Sequence, residues 1–507
     1  MNSVASNNPL ISTHSDGQPS ARLAVALCIG IGFTLGLLVL SGRPMHLLVA
    51  LGIAASFVIL LSDEALIVIL LCAHFSLYWA VGQFHLPNKL MWLPEGIIGL
   101  LVIRALVREG GGYSRAETNV FRIVLLLIFF SFLSVIANAT NPLTAVVGSR
   151  WWFRYPLMWW ALSRVSVRPE FRKFAVVLFL ILVFLQVPAS AYQKLFGVSL
   201  RVSTGDAVGG TLGGGNTHDL GLLCVTAICL LVGLYRETRD KRLLLLVPLL
   251  FLPPGLAEVK AFFIFTPIVC FYLLRRDLLQ NPRLAFGWAI AILVFLTGSM
   301  AVYNSIYIYR EKDRFRVYES RTRENLQELL SDPQKILSNE LSTTTISQRS
   351  DSTRKTVVIS RLAMVVLAHK IVTENWLTTI FGKGIGAFTQ SSFLDDGGQS
   401  GPVQLEALHL VSSAILELGY GGLIVVMMLL RAIYLSTRRN QNDYDDPFWR
   451  GIAYGFQGVI LLVAISSQYT GSFMHGGQLT FVFWFLLALL SQARTRAAQE
   501  KQETVHA

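Results

Sequence analysis

The chain has 507 residues, of which 53% are hydrophobic and only 15% charged, with a mean hydropathy of +0.54 and a formal net charge of +12. So apolar a composition at this length excludes an ordinary water-soluble protein and makes the lipid bilayer the expected solvent. The positive balance does not require nucleic acid: most of it falls in short loops between apolar runs, as the loops of a multi-span protein demand.

Residues 1–21 are polar and rich in Ser and Asn, and read as a cytoplasmic tail. The long apolar run after Ala21-Arg22 has no small-residue cleavage site and is expected to be a retained span. Runs long enough to cross a hydrocarbon core of roughly 30 Å then recur along the chain. They predict spans near 22–41, 44–61, 64–82, 91–107, 119–138, 151–165, 172–193, 216–235, 241–254, 258–275, 284–303, 408–431, 450–468 and 473–491. The expected fold is all-α, a polytopic integral membrane protein with about fourteen spans (12–14). The weakest spans are 151–165, crowded by Arg150, Arg154 and tryptophans, and 241–254, which stops at Pro253-Pro254; half-spans or interfacial helices are the alternatives.

Loop charges orient the chain. With residue 1 cytoplasmic, the cytoplasmic loops hold Arg104, Arg108 and Arg115; Arg164, Arg168, Arg172 and Lys173; Arg236, Arg239, Lys241 and Arg242; Arg275, Arg276 and Arg283; and Arg431, Arg438, Arg439 and Arg450. The tail 492–507, with Arg494, Arg496 and Lys501, is then cytoplasmic too. The resulting organisation is spans over 22–303, one large periplasmic loop over 304–407, and spans over 408–491. All five cysteines fall inside expected spans and read as small core residues. No Walker A, dinucleotide glycine motif or HExxH sequence occurs, which disfavours an ATP-driven pump and a metalloprotease.

Function is expected to concentrate in the large loop. Asp313 to Asp332 reads as an interfacial helix, and Leu341 to Ser352 as a Ser/Thr-rich link. From Ser352 to Phe381, apolar residues at helical spacing place Arg354 and Arg361 on one opposite face. That pair reads either as an anion grip or as a solvated face meeting lipid headgroups. The turn Phe381-Gly382-Lys383-Gly384-Ile385-Gly386-Ala387-Phe388 offers backbone N–H groups to a phosphate or sugar, though any tight turn uses glycine the same way. His409, at the mouth of the next span, suits a general base or a helix cap. Glu258 and Lys260 lie at the outer membrane face, as functional charges or as a local pair with a snorkelling lysine.

In order, Gly209-Gly210-Thr211-Leu212-Gly213-Gly214-Gly215-Asn216, Lys260, Arg361, the Phe381–Phe388 turn, and His409 with Glu417 and Gly419-Tyr420-Gly421-Gly422 resemble the superfamily of O-antigen ligases and O-antigen polymerases. The resemblance covers roughly residues 205–435; the earlier spans match in number and hydrophobicity only. It implies a glycosyltransferase of the bacterial inner membrane that works on the periplasmic face without nucleotide-sugar donor, cofactor or metal. Donor and acceptor would be undecaprenyl-pyrophosphate-linked oligosaccharides in membrane lipid, with a flippase and a chain-length regulator as candidate partners. A polymerase is the leading expectation, and a ligase acting on lipid A core the alternative.

Position by position, the resemblance gives Arg361 the pyrophosphate and the charge growing on it, and His409 the acceptor hydroxyl as base or orienting group. Lys260 stands where the family usually has arginine and would be a second pyrophosphate contact, with Arg354, Glu258, Arg150 and Arg154 as weaker members of the site. Lysine keeps the charge but loses the bidentate fork. Leu410 departs from the asparagine or serine common after the histidine. Two readings from other classes remain beside it, a transporter of lipid-linked sugars and a non-catalytic assembly partner; no internal repeat supports the first.

Overall fold

The computed structural model describes residues 61–107, 115–165, 167–196, 208–213, 216–257, 259–280, 283, 287, 355–357, 361–388, 403–405, 409–439, 441–471 and 477–506. The chain divides into two units, 1–66 and 67–507, and of the first only 61–66 are described. The expected spans 22–41, 44–61 and 284–303 fall, single positions apart, outside the described residues, as do the helix expected over 313–332, Glu258 and Arg354.

The helices in chain order are α1 Asp63–Gln83, α2 Leu93–Val107, α3 Arg115–Ala137, α4 Pro142–Arg164, α5 Pro169–Phe184, α6 Gln186–Phe196, α7 Thr217–Thr238, α8 Arg242–Leu246, α9 Leu252–Leu256, α10 Lys260–Gln280, α11 Arg361–Val372, α12 Trp376–Phe381, α13 Leu410–Arg439, α14 Pro447–Ser466 and α15 Gln478–His506. Among the described residues, seven helical segments are long and apolar enough to cross a membrane: 63–83, 90–107, 117–137, 169–196, 217–238, 410–439 and 447–466. The protein is therefore a helical membrane protein. Its surface agrees, since Ile103, Leu106, Phe129, Phe132, Ile136, Ile181, Ile264, Phe271, Ile424 and Met427 are all exposed, an apolar belt suited to lipid chains rather than water.

Several boundaries differ from the sequence expectation for physical reasons. The span expected at 151–165 begins at Pro142, where Asn141 accepts a hydrogen bond from the Leu143 N–H and proline at the first helical position suits the fixed φ. The two arginines inside it hide this start from a reading of apolar runs. The span expected at 241–254 is instead α8, a 3₁₀ turn Val247–Phe251 and α9, an apolar stretch segmented at Pro248 and Pro253. α15 runs on to His506 rather than stopping near 491.

The largest correction lies in the loop. Lys355–Val357 is a strand, not the start of a helix, and pairs in parallel with Val403–Leu405; helix resumes only at Arg361. Thr356-Val357-Val358-Ile359 is β-branched throughout, which favours extended backbone and stiffens χ1. Among the described residues the all-α expectation gains this one small strand pair, called β1 (Lys355–Val357) and β2 (Val403–Leu405).

α7 forms the centre of the bundle, with nearly every residue from Thr217 to Leu234 buried. It crosses α14 where glycine removes the side chains: a Cβ on Gly455 would lie 2.5 Å from the Cys229 carbonyl oxygen, and one on Gly233 2.3 Å from the Gly451 carbonyl oxygen. Gly451 and Gly455 stand four apart, the small-residue spacing that lets membrane helices approach closely and gain dispersion contacts that lipid does not replace.

Candidate functional site

The site lies at the end of the bundle that carries the described parts of the loop. α13 starts there at Leu410, and its first turn is capped from two directions. The His409 N–H donates to Ser412 Oγ at 2.9 Å, the reciprocal half of a capping box, and the Leu410 and Val411 N–H groups donate to the Thr470 and Ser467 carbonyls. His409 is 1% exposed, and its cap geometry is complete at the backbone. Two turns further on, the helix breaks at Gly419, whose φ of 70° is left-handed and suits glycine.

The glycine-rich turn 381–388 fills that break. The Lys383 N–H donates to the Leu416 carbonyl at 2.7 Å, and Ser134 Oγ on α3 donates between the Phe381 and Glu417 carbonyls. Gly386 is at φ 84°, and a Cβ there would lie 2.2 Å from the Thr144 carbonyl oxygen; Gly148 of α4 sits against the same glycine. The turn's glycines are thus spent on close packing between α4 and α13. Close packing accounts for glycine at Gly382 and Gly386, which lie against backbone of α13 and α4.

α11 packs on the first half of α13 through Met364, Leu367, Ala368, Ile371 and Val372 against Ile415 and Leu416. His369 Nδ1 and the Tyr420 hydroxyl are 2.8 Å apart, joining the two helices again. Val357 pairs with Leu405, so Arg361 and His409 each stand four residues beyond one pairing, at the starts of two helices in mutual contact. Lys260 likewise begins a helix, α10; its side chain and that of Arg361 lie outside what is described.

Arg150 and Arg154 share a partner within the protein. Arg150 Nη2 and Arg154 Nη1 both donate to Glu95 Oε1 of α2, each at 2.6 Å. The Arg150 guanidinium stacks 3.9 Å from the Trp92 ring centre, and that of Arg154 4.4 Å from the Tyr155 ring. Tyr155 continues the chain inward: its hydroxyl is 3.1 Å from His74 Nε2, and His74 stacks on Phe481 with ring centres 3.8 Å apart. On the same helix, the Trp152 indole N–H donates to Glu417 Oε2 at 2.8 Å, a carboxylate fully buried in α13. α4 therefore ties α1, α2 and α13 together through polar contacts inside an apolar bundle, where such groups are costly unless paired.

Glu95, His74 and Tyr155 were not among the residues expected here. Glu95 follows Pro94 at the start of an apolar run and His74 sits mid-span, so an ionisable residue inside an expected span was the available signal for both. A scan of the chain against protein-family models matches none of them. No curated protein matches its sequence.

Proposed function

We propose that the chain is a glycosyltransferase of the bacterial inner membrane, with about fourteen spans, both termini cytoplasmic and its site on the periplasmic face, that polymerises undecaprenyl-pyrophosphate-linked repeat units. The observation that carries this reading is that Arg361 and His409 stand at the N-terminal ends of α11 and α13, two helices packed on one another. N–H groups at a helix start favour an anion, and a cation placed at such a start is itself disfavoured by the helix dipole. Arg361 and Lys260 both occupy such first positions, so an anion bound there would relieve an unfavourable placement and be held by it.

The chemistry follows from that arrangement. The acceptor hydroxyl oxygen attacks the anomeric carbon, the bond from that carbon to the pyrophosphate oxygen breaks, and the pyrophosphate leaves with the electron pair. Arg361, with Lys260, stabilises the charge gathering on the leaving group. His409 takes the proton of the attacking hydroxyl.

The test is glycan analysis of a deletion strain complemented with wild type, Arg361→Ala or His409→Ala. Both variants are expected to express normally and to lose long glycan chains while single repeat units still reach the acceptor. Long lipid-linked chains never joined to lipid A would instead assign a ligase. Unchanged glycans from well-expressed Arg361→Ala would overturn the transferase reading.

A further inference from the structure

The end of the bundle opposite the Arg361/His409 pair carries a polar group that the described protein does not complete. α10 and α13 both pack on α14, and at this end they meet through the hydroxyls of Tyr272 and Tyr434, 2.8 Å apart. One hydroxyl donates to the other, so the second O–H hydrogen of the pair has no acceptor among the described residues. Arg275 stands over the pair: its guanidinium lies 4.1 Å from the Tyr272 ring centre, and its Nη1 donates to the Tyr272 carbonyl. Arg431, which is exposed, precedes Tyr434 by one turn of α13. The surroundings are positive. Tyr454 of α14 lies within electrostatic reach of Arg236, Arg275 and Arg276 and of the Asp277 carboxylate, while Glu237 is engaged by Arg450 at 3.4 Å. Among the described residues no ion pair engages Arg275, Arg276 or Arg431.

Two apolar tracks lead to this point. On α10, Ile264, Ile268 and Phe271 are exposed along one face that runs on to Arg275. On α13, Ile424, Met427 and Met428 are exposed along a face that runs on to Arg431 and Tyr434. Hydrocarbon tracks that end in guanidiniums and a tyrosine O–H match a phospholipid, whose chains lie against the first and whose phosphate oxygens accept from the second. The positive surroundings select an anionic headgroup over a zwitterionic one, because the arginines repel the ammonium of the latter. Free phosphate would satisfy the donors but leave both tracks empty. We infer that Tyr272, Arg275, Arg431 and Tyr434 form a binding site for one anionic phospholipid, between α10 and α13 at the end opposite the candidate catalytic pair. Its phosphate takes the remaining tyrosine O–H hydrogen and the N–H groups of Arg275 and Arg431, and its acyl chains lie along the two tracks. This inference does not depend on the transferase reading.

Native mass spectrometry of the full-length protein in detergent tests it, with dioleoylphosphatidylglycerol, dioleoylphosphatidylcholine and glycerol 3-phosphate as probes. Wild type is expected to retain one phosphatidylglycerol at least about tenfold more tightly than phosphatidylcholine of the same acyl chains, a selectivity within reach of two basic contacts. Glycerol 3-phosphate, which lacks the chains, is expected not to displace it at matched concentration. Arg431→Gln, at an exposed position and with an unchanged unfolding temperature, is expected to cut the preference at least about threefold. Arg431→Lys is expected to restore part of it, because charge returns without the fork. Tyr272→Phe together with Tyr434→Phe is expected to weaken both lipids, since both carry the phosphate. Arg439→Gln, exposed at the end of α13 two turns beyond Arg431, is expected to leave the preference unchanged. Equal retention of the two lipids by folded wild type, retention of neither, or a preference lost as fully in Arg439→Gln as in Arg431→Gln would overturn the inference and leave these arginines as a general attraction to a charged bilayer. Displacement by glycerol 3-phosphate at matched concentration would overturn the lipid assignment in favour of a soluble phosphate.

Discussion

Gly386 shows how much of this molecule is decided by the absence of a single carbon. Its φ of 84° is strained for any residue with a Cβ, and the atom an alanine adds would meet the Thr144 carbonyl oxygen at 2.2 Å, which is backbone and cannot rotate away. Gly386→Ala is therefore expected to destabilise the protein by about 2 kcal/mol or more, and to loosen the junction of α4 with α13. Gly96 is the control, since a Cβ there meets nothing within 4 Å. Gly96→Ala is expected to be neutral or to gain up to about 1 kcal/mol from helix propensity. Thermal unfolding of the two variants in detergent separates them; equal midpoints would mean that the turn is not wedged between the helices as described.

At the scale of elements, the crossing of α7 and α14 makes the same argument over a longer contact. Gly451, Gly455 and Gly233 let two helix backbones touch, and α7 is buried on all sides because of it. Gly455→Leu would drive a branched side chain into the Cys229 carbonyl and the Leu230 backbone. It is expected to lower the unfolding temperature and the yield of folded protein more than a substitution to leucine at an exposed position such as Ile424→Leu. Long apolar runs made α1, α7 and α14 legible in the sequence within a few residues, because length and hydropathy alone decide whether a helix spans. α4 was not fully legible, because the charges that make it interesting also interrupt its apolar run. The site was legible only in part. Arg361 and His409 could be named, but the pairing of the strands that precede them could not, since it joins positions 48 apart, Lys355 with Val403, which local periodicity does not encode. The Glu95 partnership of Arg150 and Arg154 was hidden for the same reason: the partners lie 55 and 59 residues away on another helix.

For the whole molecule, the arrangement of charge bears on orientation. Loops far apart in sequence meet at the end opposite the site through Lys173 with Asp446 at 2.6 Å, Arg450 with Glu237 at 3.4 Å, and Arg494 with Asp443 at 3.5 Å. The Arg172 guanidinium donates to the Gln492 carbonyl at the same end. The lysines and arginines of 164–173, 236–242 and 438–450 are thus gathered on one side, which the proposed orientation puts in the cytoplasm, in keeping with the positive-inside tendency. The partly exposed Lys383, in the glycine turn, belongs to the other side, where it pairs with Glu374 at 3.2 Å. In a cysteine-free background, Lys383→Cys is expected to react with a membrane-impermeant maleimide on intact cells, and Lys241→Cys, in the exposed turn before α8, only after the inner membrane is opened. The reverse pattern would place the Arg361/His409 end in the cytoplasm, away from any flipped lipid-linked glycan. Labelling of both from outside would mean that the two ends are not separated by a bilayer, and the spans assigned between them would have to be redrawn.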